Sequence, residues 1–380
     1  QDVGTDRYIS TLSTSVDSWI IDGKKVQSTQ KPTIVSSTLT WEKVTTLDLG
    51  LDARFFNDAL GVTFDWYNRT TSDILTTANL PATLGADAPY ENMGTIQTKG
   101  WELAIDYRHT FKNGLHFGVT ASVADDKTEV TKWTYNTKIP SYGATGWWDK
   151  SAYKEGMVLG DIWGLQFDRF LTEDDFNADG SLKAGLPDQT KVFPAGYQFA
   201  PGDVLYKDLD NNGEIVKQTN TNDKGDLSVI GNALPRLQFG LNLDAAWKGF
   251  DISMFFQGVA KRKLWAAGNQ VLPGFTTGEP FYKGAEDYWT PENTDAFYPR
   301  PMDYKQSASG NYSVNDRYLL NMAYLRLKTF TVGYSLPKVW LSKFKVQGLR
   351  VYFTGENLFT IDGVKPAIDP EIGIRTASGK

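Results

Sequence analysis

The clearest signal along this chain is a regular exchange of apolar and polar positions. Leu349, Val351, Phe353, Phe359 and Ile361 fall on one face of a stretch near the end. Arg350, Tyr352, Thr354, Glu356 and Thr360 fall on the other. A period of two is a β-strand with one face in an apolar medium and one face wet. The stretch before it, Tyr324 to Leu336, places Phe330, Val332, Tyr334 and Leu336 together, but Arg326 and Lys328 share their parity. The pattern predicts either a bulge there or a strand that runs out of the apolar zone. Pro337 ends that strand, and Trp340 and Phe344 sit in the turn.

The same reading finds three more hairpins. Leu47, Leu49, Leu51, Ala53 and Phe55 alternate with Asp48, Gly50, Asp52 and Arg54. Phe56-Asn57-Asp58-Ala59 makes a tight turn, and Leu60, Val62, Phe64 and Trp66 return. Trp101, Leu103, Ile105 and Tyr107 precede a turn at Phe111–Gly114, after which Leu115, Phe117, Val119, Ala121 and Val123 return. Leu237, Phe239, Leu241, Leu243, Ala245 and Trp247 lead into a two-residue turn, Lys248-Gly249. Phe250, Ile252, Met254 and Phe256 follow it. Between these hairpins, residues 71–93 read as a loop, and 134–235 and 263–317 as long excursions. The first 37 residues are poorly periodic, with Tyr8–Leu12 and Thr33–Leu39 as expected short strands.

Two regularities point to an architecture. Each hairpin has a short turn at one end, while the joins between hairpins are long; outer-membrane barrels have this asymmetry. The strands also exceed the mean of about 5–6 residues in soluble sheets and match the roughly 9–11 needed to cross a bilayer at a tilt. Phe55, Phe56, Tyr107, Phe111, Trp247, Phe250, Tyr334 and Trp340 gather beside the short turns, as an interfacial girdle would. A large soluble β-sandwich or propeller explains the alternation equally well, but not strand length together with one-sided turns. The expected fold class is therefore all-β, a transmembrane antiparallel barrel of outer-membrane type.

Composition narrows the chemistry. The 380 residues include 51 aromatics (12 Trp, 18 Tyr, 21 Phe) and 35 glycines, which suits a sheet-rich protein with many turns. There is no cysteine, so disulfides, thiolate metal sites and cysteine catalysis are excluded. His109 and His116 are the only histidines, which weakens a zinc or histidine-based catalytic reading. A net charge of −6, without a basic stripe, argues against nucleic acid as a partner. No apolar run of about 18 residues exists for a membrane helix, which a barrel does not need. Gln1 opens the chain without a visible secretion signal, as expected of a mature product or a piece of something longer.

Several stretches resemble SusC/RagA-type TonB-dependent transporters. They include Tyr324-Leu325-Arg326-Leu327-Lys328 with Val332-Gly333-Tyr334-Ser335-Leu336-Pro337, and Leu349-Arg350-Val351-Tyr352 running into Gly355-Glu356-Asn357-Leu358-Phe359-Thr360. Upstream, Asn92-Met93-Gly94 with Lys99-Gly100-Trp101-Glu102-Leu103, Lys248-Gly249-Phe250-Asp251 and Tyr288-Trp289-Thr290-Pro291-Glu292-Asn293 follow in the family's order. The resemblance implies that residues 1–380 are the C-terminal part of a barrel of about 22 strands. The plug, first barrel half and final strand are then expected outside the chain, and the excursions at about 134–235 and 263–317 are extracellular. It also implies import of an oligosaccharide, or in some members a peptide, across the bacterial outer membrane. A SusD-like lipoprotein would serve as a lid, TonB as the energy source and outer-membrane lipid as the surroundings.

Two sets of residues are candidate sites. Asp208, Asp210, Asn212 and Glu214, with Gly213 at the sixth position, resemble a calcium-binding loop, because oxygen ligands at alternate positions suit a hard cation. The twelfth position is Thr219, so the usual carboxylate is missing, and Asp223 or Asp226 would have to substitute. The competing reading is a plain Asn-Gly turn. Tyr142, Trp147, Trp148, Trp265, Tyr282 and Trp289 lie in polar surroundings and could stack on sugars or meet a lid. The plainer reading is that they hold the long loops together. Luminal Arg54, Asp65, Arg69, Asp106, Arg108, Arg236 and Asp244 read as a hydrated network lining a path. No pair of carboxylates is marked out for glycosidase chemistry, and no enzymatic activity is expected.

Overall fold

The computed structural model describes residues 10, 12–29, 34–77, 88–134, 153–217, 224–266, 268, 270–274, 282–302, 310–365 and 368–372. In chain order the strands are β1 (Thr14–Ile21), β2 (Lys24–Thr29), β3 (Lys43–Phe55), β4 (Leu60–Thr77), β5 (Tyr90–Thr110) and β6 (His116–Trp133). Next come β7 (Asp161–Gly164), β8 (Phe167–Phe170), β9 (Val204–Tyr206), β10 (Ser228–Asn232), β11 (Arg236–Trp247) and β12 (Phe250–Lys261). The last are β13 (Lys263–Leu264), β14 (Leu320–Asn321), β15 (Tyr324–Ser335) and β16 (Arg350–Asp362), with a one-turn helix, α1 (Lys338–Leu341), between β15 and β16.

Eight strands form one sheet in the order β16-β15-β12-β11-β6-β5-β4-β3. Each is antiparallel to its neighbours. Neighbours in the sheet are also successive among the eight, so the sheet is an up-and-down meander without a crossover. Short connections lie at one end, with the Phe111–Leu115 turn closed by a 2.8 Å backbone hydrogen bond. The excursions leave from the other end. This is a partial outer-membrane barrel wall, open at β3 and β16.

The register divides the side chains cleanly. Leu49, Trp66 and Trp101 line up across three strands on one face, and Gly50, Asp65 and Glu102 on the other. On the apolar face Phe64 and Ile105, on interior strands, leave 37% and 38% of their surface uncovered. Through β15, Val351 to Ile361 face Phe250 to Gly258, eight steps or about 27 Å along the strand. At a tilt near 40° this covers about 21 Å, close to the height of an outer-membrane apolar band.

The parity conflict on β15 resolves as a bulge. Phe255 pairs with Thr329 but Phe256 with Leu327, so Lys328 is an extra residue. The bulge lets Leu325 and Leu327 face outward with Phe330 and Val332, and turns Arg326 and Lys328 toward the lumen.

Two expectations need correction. The 71–93 loop is shorter than expected, because β4 continues to Thr77 and β5 begins at Tyr90. These strands project beyond the apolar band and pack Ile74, Val130 and Trp133 against Tyr153 and Met157, so protein contacts replace lipid there. At the start, Ile34–Leu39 is not strand; the hairpin is β1–β2. Its Ser, Thr and Lys positions carry no apolar alternation, and Asp22 and Gly23 make the turn with positive φ of 50° and 74°.

The buried core lies in the loops. Leu165, Phe170, Val204, Tyr206, Ile215 and Leu227 from the first excursion pack with Trp289 and Ala296 from the second. A second cluster joins Leu272, Tyr298, Tyr312 and Met322 to Val364 beyond β16. The backbone links the excursions as well, with the Leu165 amide on the Val314 carbonyl at 2.9 Å. The two excursions form one interlocked layer.

Candidate functional site

The luminal face is polar because alternate residues of every strand turn there. Its ion pairs reach across strands over glycine. Gly61 on β4 lies between Arg54 on β3 and Asp106 on β5, which meet at 2.8 Å. A Cβ at Gly61 would collide with the Arg54 guanidinium. Asp251 on β12, the register partner of Gly333 on β15, meets Arg350 on β16 over that glycine diagonally, with an Nε–Oδ1 bond of 3.0 Å. Asp244 lies beside His116 at 3.6 Å. All three pairs sit near the short-turn end. Higher up, Asp65 and Glu102 face each other directly. They border a depression of about 540 Å³ whose floor includes Ala104, Ser122, Ala124 and Gly240. Arg236 is less a luminal side chain than a rim staple, bonded to both carboxylate oxygens of Asp125.

At the loop end the bulge of β15 gives the lumen a second feature. Arg326 donates to Asp369 at 2.8 Å and to Glu371 at 2.6 Å, while Lys328 and Tyr324 reach Glu371 at 3.0 Å. Arg262 caps the carbonyls of Pro370 and Ile372 at 3.3 and 3.0 Å. Residues 368–372 therefore fold inward onto the wall. The guanidinium hydrogen bond from Arg326 holds the Asp369 carboxyl below its usual range.

In the loop layer, Asp203 is fully buried and receives Arg300 at 2.8 Å, Asn311 at 3.0 Å and the Ala200 amide at 2.9 Å. Burial beside this carboxylate pushes the Tyr197 phenol well up. Two hydrogen bonds from Arg169, of 2.6 and 2.7 Å, hold Asp175 at about 2, helped by the Thr172 amide. Such groups tie the layer together.

The calcium-like loop is rearranged from its expected form. The carboxylates of Asp208, Asp210 and Asp226 converge, with one oxygen from each within 4.8 Å of the others. Asn212 instead accepts the Glu214 amide at 2.7 Å and donates to Asp210 at 2.9 Å. Glu214 turns away to pair with Lys191. Asp226, one of the two residues that could stand in for the missing twelfth-position carboxylate, thus joins Asp208 and Asp210, whereas Asn212 and Glu214 do not. Burial pushes its carboxyl above the ordinary range, against hydrogen bonds from the Val216 and Leu209 amides. Asp208 Oδ1 is enclosed without a hydrogen-bond partner.

The aromatic candidates divide three ways. Tyr142, Trp147 and Trp148 lie outside the described residues. Trp289 is 7% exposed inside the first loop core, against Gly202, and Trp265 packs on two buried clusters. Tyr282 is 42% exposed, on a cavity of about 580 Å³ that Tyr288, Pro299, Pro301, Lys283 and Glu286 also line. Tyr288, another of the loop aromatics in polar surroundings, is exposed on the same cavity.

An open, two-faced meander with a luminal ion-pair array and a folded loop layer defines a segment of an outer-membrane β-barrel. The model of the TonB dependent receptor-like β-barrel family matches residues 6–358, and the chain belongs to that family. It is similar to TonB-dependent receptor P3 of Formosa agariphila, at 27% identity over 94% of this chain and 33% of that protein. It is also similar to TonB-dependent receptor SusC of Bacteroides thetaiotaomicron, at 24% identity over 92% of this chain and 32% of that protein. The RagAB peptide importer in its open-open state shares the fold with a TM-score of 0.68 at 19% identity, covering 98% of this chain and 36% of that one. The chain spans about a third of the length of the curated relatives it matches.

Proposed function

We propose that this chain supplies the luminal wall and outer vestibule of a TonB-dependent importer of SusC type that carries an oligosaccharide inward. The observation that carries this reading is a polar wall of paired charges beneath an interlocked loop layer, within a family of TonB-dependent receptors. The protein moves its cargo without breaking bonds in it. A SusD-like lipoprotein covers the mouth, and TonB acts through a region outside this chain. Residues 1–380 form the C-terminal part of that barrel. Exposed Tyr282 and Tyr288 offer rings to sugar faces, with Glu286 and Lys283 beside them for hydroxyl groups. A peptide cargo is the second reading, favoured by the fold shared with the RagAB peptide importer.

The test is calorimetry on the whole transporter with its lipoprotein, titrated with neutral oligosaccharides and with peptides. Saturable heat from an oligosaccharide supports the first reading. Heat from peptides alone replaces it with the second.

We also propose that calcium binds Asp208, Asp210 and Asp226 and fastens the first excursion. Added calcium should raise the melting temperature of the whole transporter relative to chelator, and Asp226→Asn should abolish that rise. An equal rise in the variant would rule the site out.

A further inference from the structure

On the outward face, Lys99 of β5 stands directly opposite Lys127 of β6. Both side chains are exposed. Lys99 has the parity of Trp101, Leu103 and Ile105, and Lys127 that of Ala121 and Val123, so both leave the sheet on its apolar side. Two residues nearer the short turns, Trp66 is paired with Trp101. The wall thus reads, from its middle toward the loops, as aliphatic belt, tryptophan pair, lysine pair. Tryptophan marks the headgroup boundary of a bilayer. One further step of two residues, roughly 7 Å along the strand, reaches the phosphates.

Like charges directly opposite on paired strands destabilise a sheet. Glu129, on the same face, offers Lys127 a partner at 3.4 Å, with both groups nearly half exposed. Among the described residues no carboxylate lies within ion-pair distance of Lys99. Asn68, the register neighbour of Lys99 on β4, keeps its Oδ1 enclosed without a hydrogen-bond partner. The lysine stems can lie along the tryptophans while their ammonium groups reach outward. Lys99 therefore carries positive charge without an ion-pair partner among the described residues, beside a Lys127 whose charge Glu129 offsets in part, at one defined height on the membrane side.

We propose that Lys99 and Lys127 form a binding site for the phosphorylated headgroup of an outer-leaflet lipid. One phosphate between them relieves their repulsion and accepts from both ammonium groups. Occupancy fixes the height of this part of the wall in the membrane. The assignment does not depend on the cargo.

The test uses the whole transporter, extracted from outer membrane in mild detergent and examined by native mass spectrometry. Wild type should retain a phosphorylated lipid that inorganic phosphate does not displace. K99Q/K127Q should retain it roughly thirtyfold less, at about 1 kcal/mol per basic residue. K99R/K127R should retain it nearly as well as wild type, and the luminal control N242Q fully. Circular dichroism confirms that each variant is folded. Equal retention by K99Q/K127Q overturns the site, as does wild type that carries no lipid. Displacement by inorganic phosphate overturns the assignment to a lipid.

Discussion

In the eight-stranded sheet Phe64 and Ile105, on interior strands, keep more than a third of their surface uncovered, while in the loop layer Leu165 and Leu272 keep none. The same residue types are used, but what covers them differs. Loop-layer side chains are covered by other parts of the chain, so water drives their burial and protein packing measures it. Sheet side chains are covered by lipid, so packing against protein contributes little there. The polar groups differ in parallel. Luminal ion pairs such as Arg54–Asp106 sit in open surroundings, with the Arg54 side chain 57% exposed, whereas Asp203 is sealed inside the loops. One region is stabilised by its surroundings and the other by its interior.

Substitutions can break this contrast, and the largest effect should come from the sealed charge. Asp203→Ala leaves Arg300 and Asn311 without their acceptor, and should cost about 3–5 kcal/mol. Limited proteolysis should find the loops opened while the sheet persists. Next in size, Leu241→Arg or Leu243→Arg should cost about 2–4 kcal/mol near the midplane. Folding titrations into vesicles would measure that cost, and it should vanish if this face met water.

A third effect depends on pH. Asp175 is held at about 2 against a usual 3.8. Its folded value is depressed, so its contribution is full above about 4 and is lost as pH falls toward about 2. Asp175→Asn should cost about 1–3 kcal/mol at neutral pH and remove that acid dependence. Hydrogen exchange at Leu171 and Phe176 would read it. The smallest effect sharpens the contrast within the sheet itself. Gln238→Lys and Asn242→Lys face the lumen and should stay within about 0.5 kcal/mol.

The meander was legible because alternation survives wherever one face meets a uniform medium. Even the β15 bulge announced itself, through two basic residues at the wrong parity. The β1–β2 hairpin was not legible, since Thr14–Ile21 and Lys24–Thr29 are exposed on both faces for most of their length. Loop burial was also hidden. Trp289 and Tyr206 lie in irregular backbone or a three-residue strand, where no period marks an inward side. For the calcium-like loop the sequence left Asp223 and Asp226 as alternatives and took Asn212 and Glu214 as ligands, because only folding brings Asp226 back beside Asp208 and turns Glu214 to Lys191.

The glycines beneath the luminal ion pairs have a consequence for how such sequences diverge. Arg54, Gly61 and Asp106 lie on three different strands, yet any side chain at 61 would collide with the bridge above it. A lineage that loses the bridge frees position 61 to vary, and one that fills position 61 must first give up the bridge. Asp251, Gly333 and Arg350 obey the same rule. Each trio should therefore drift as a unit in aligned relatives, so that strand order could be recovered from sequence variation without any structure.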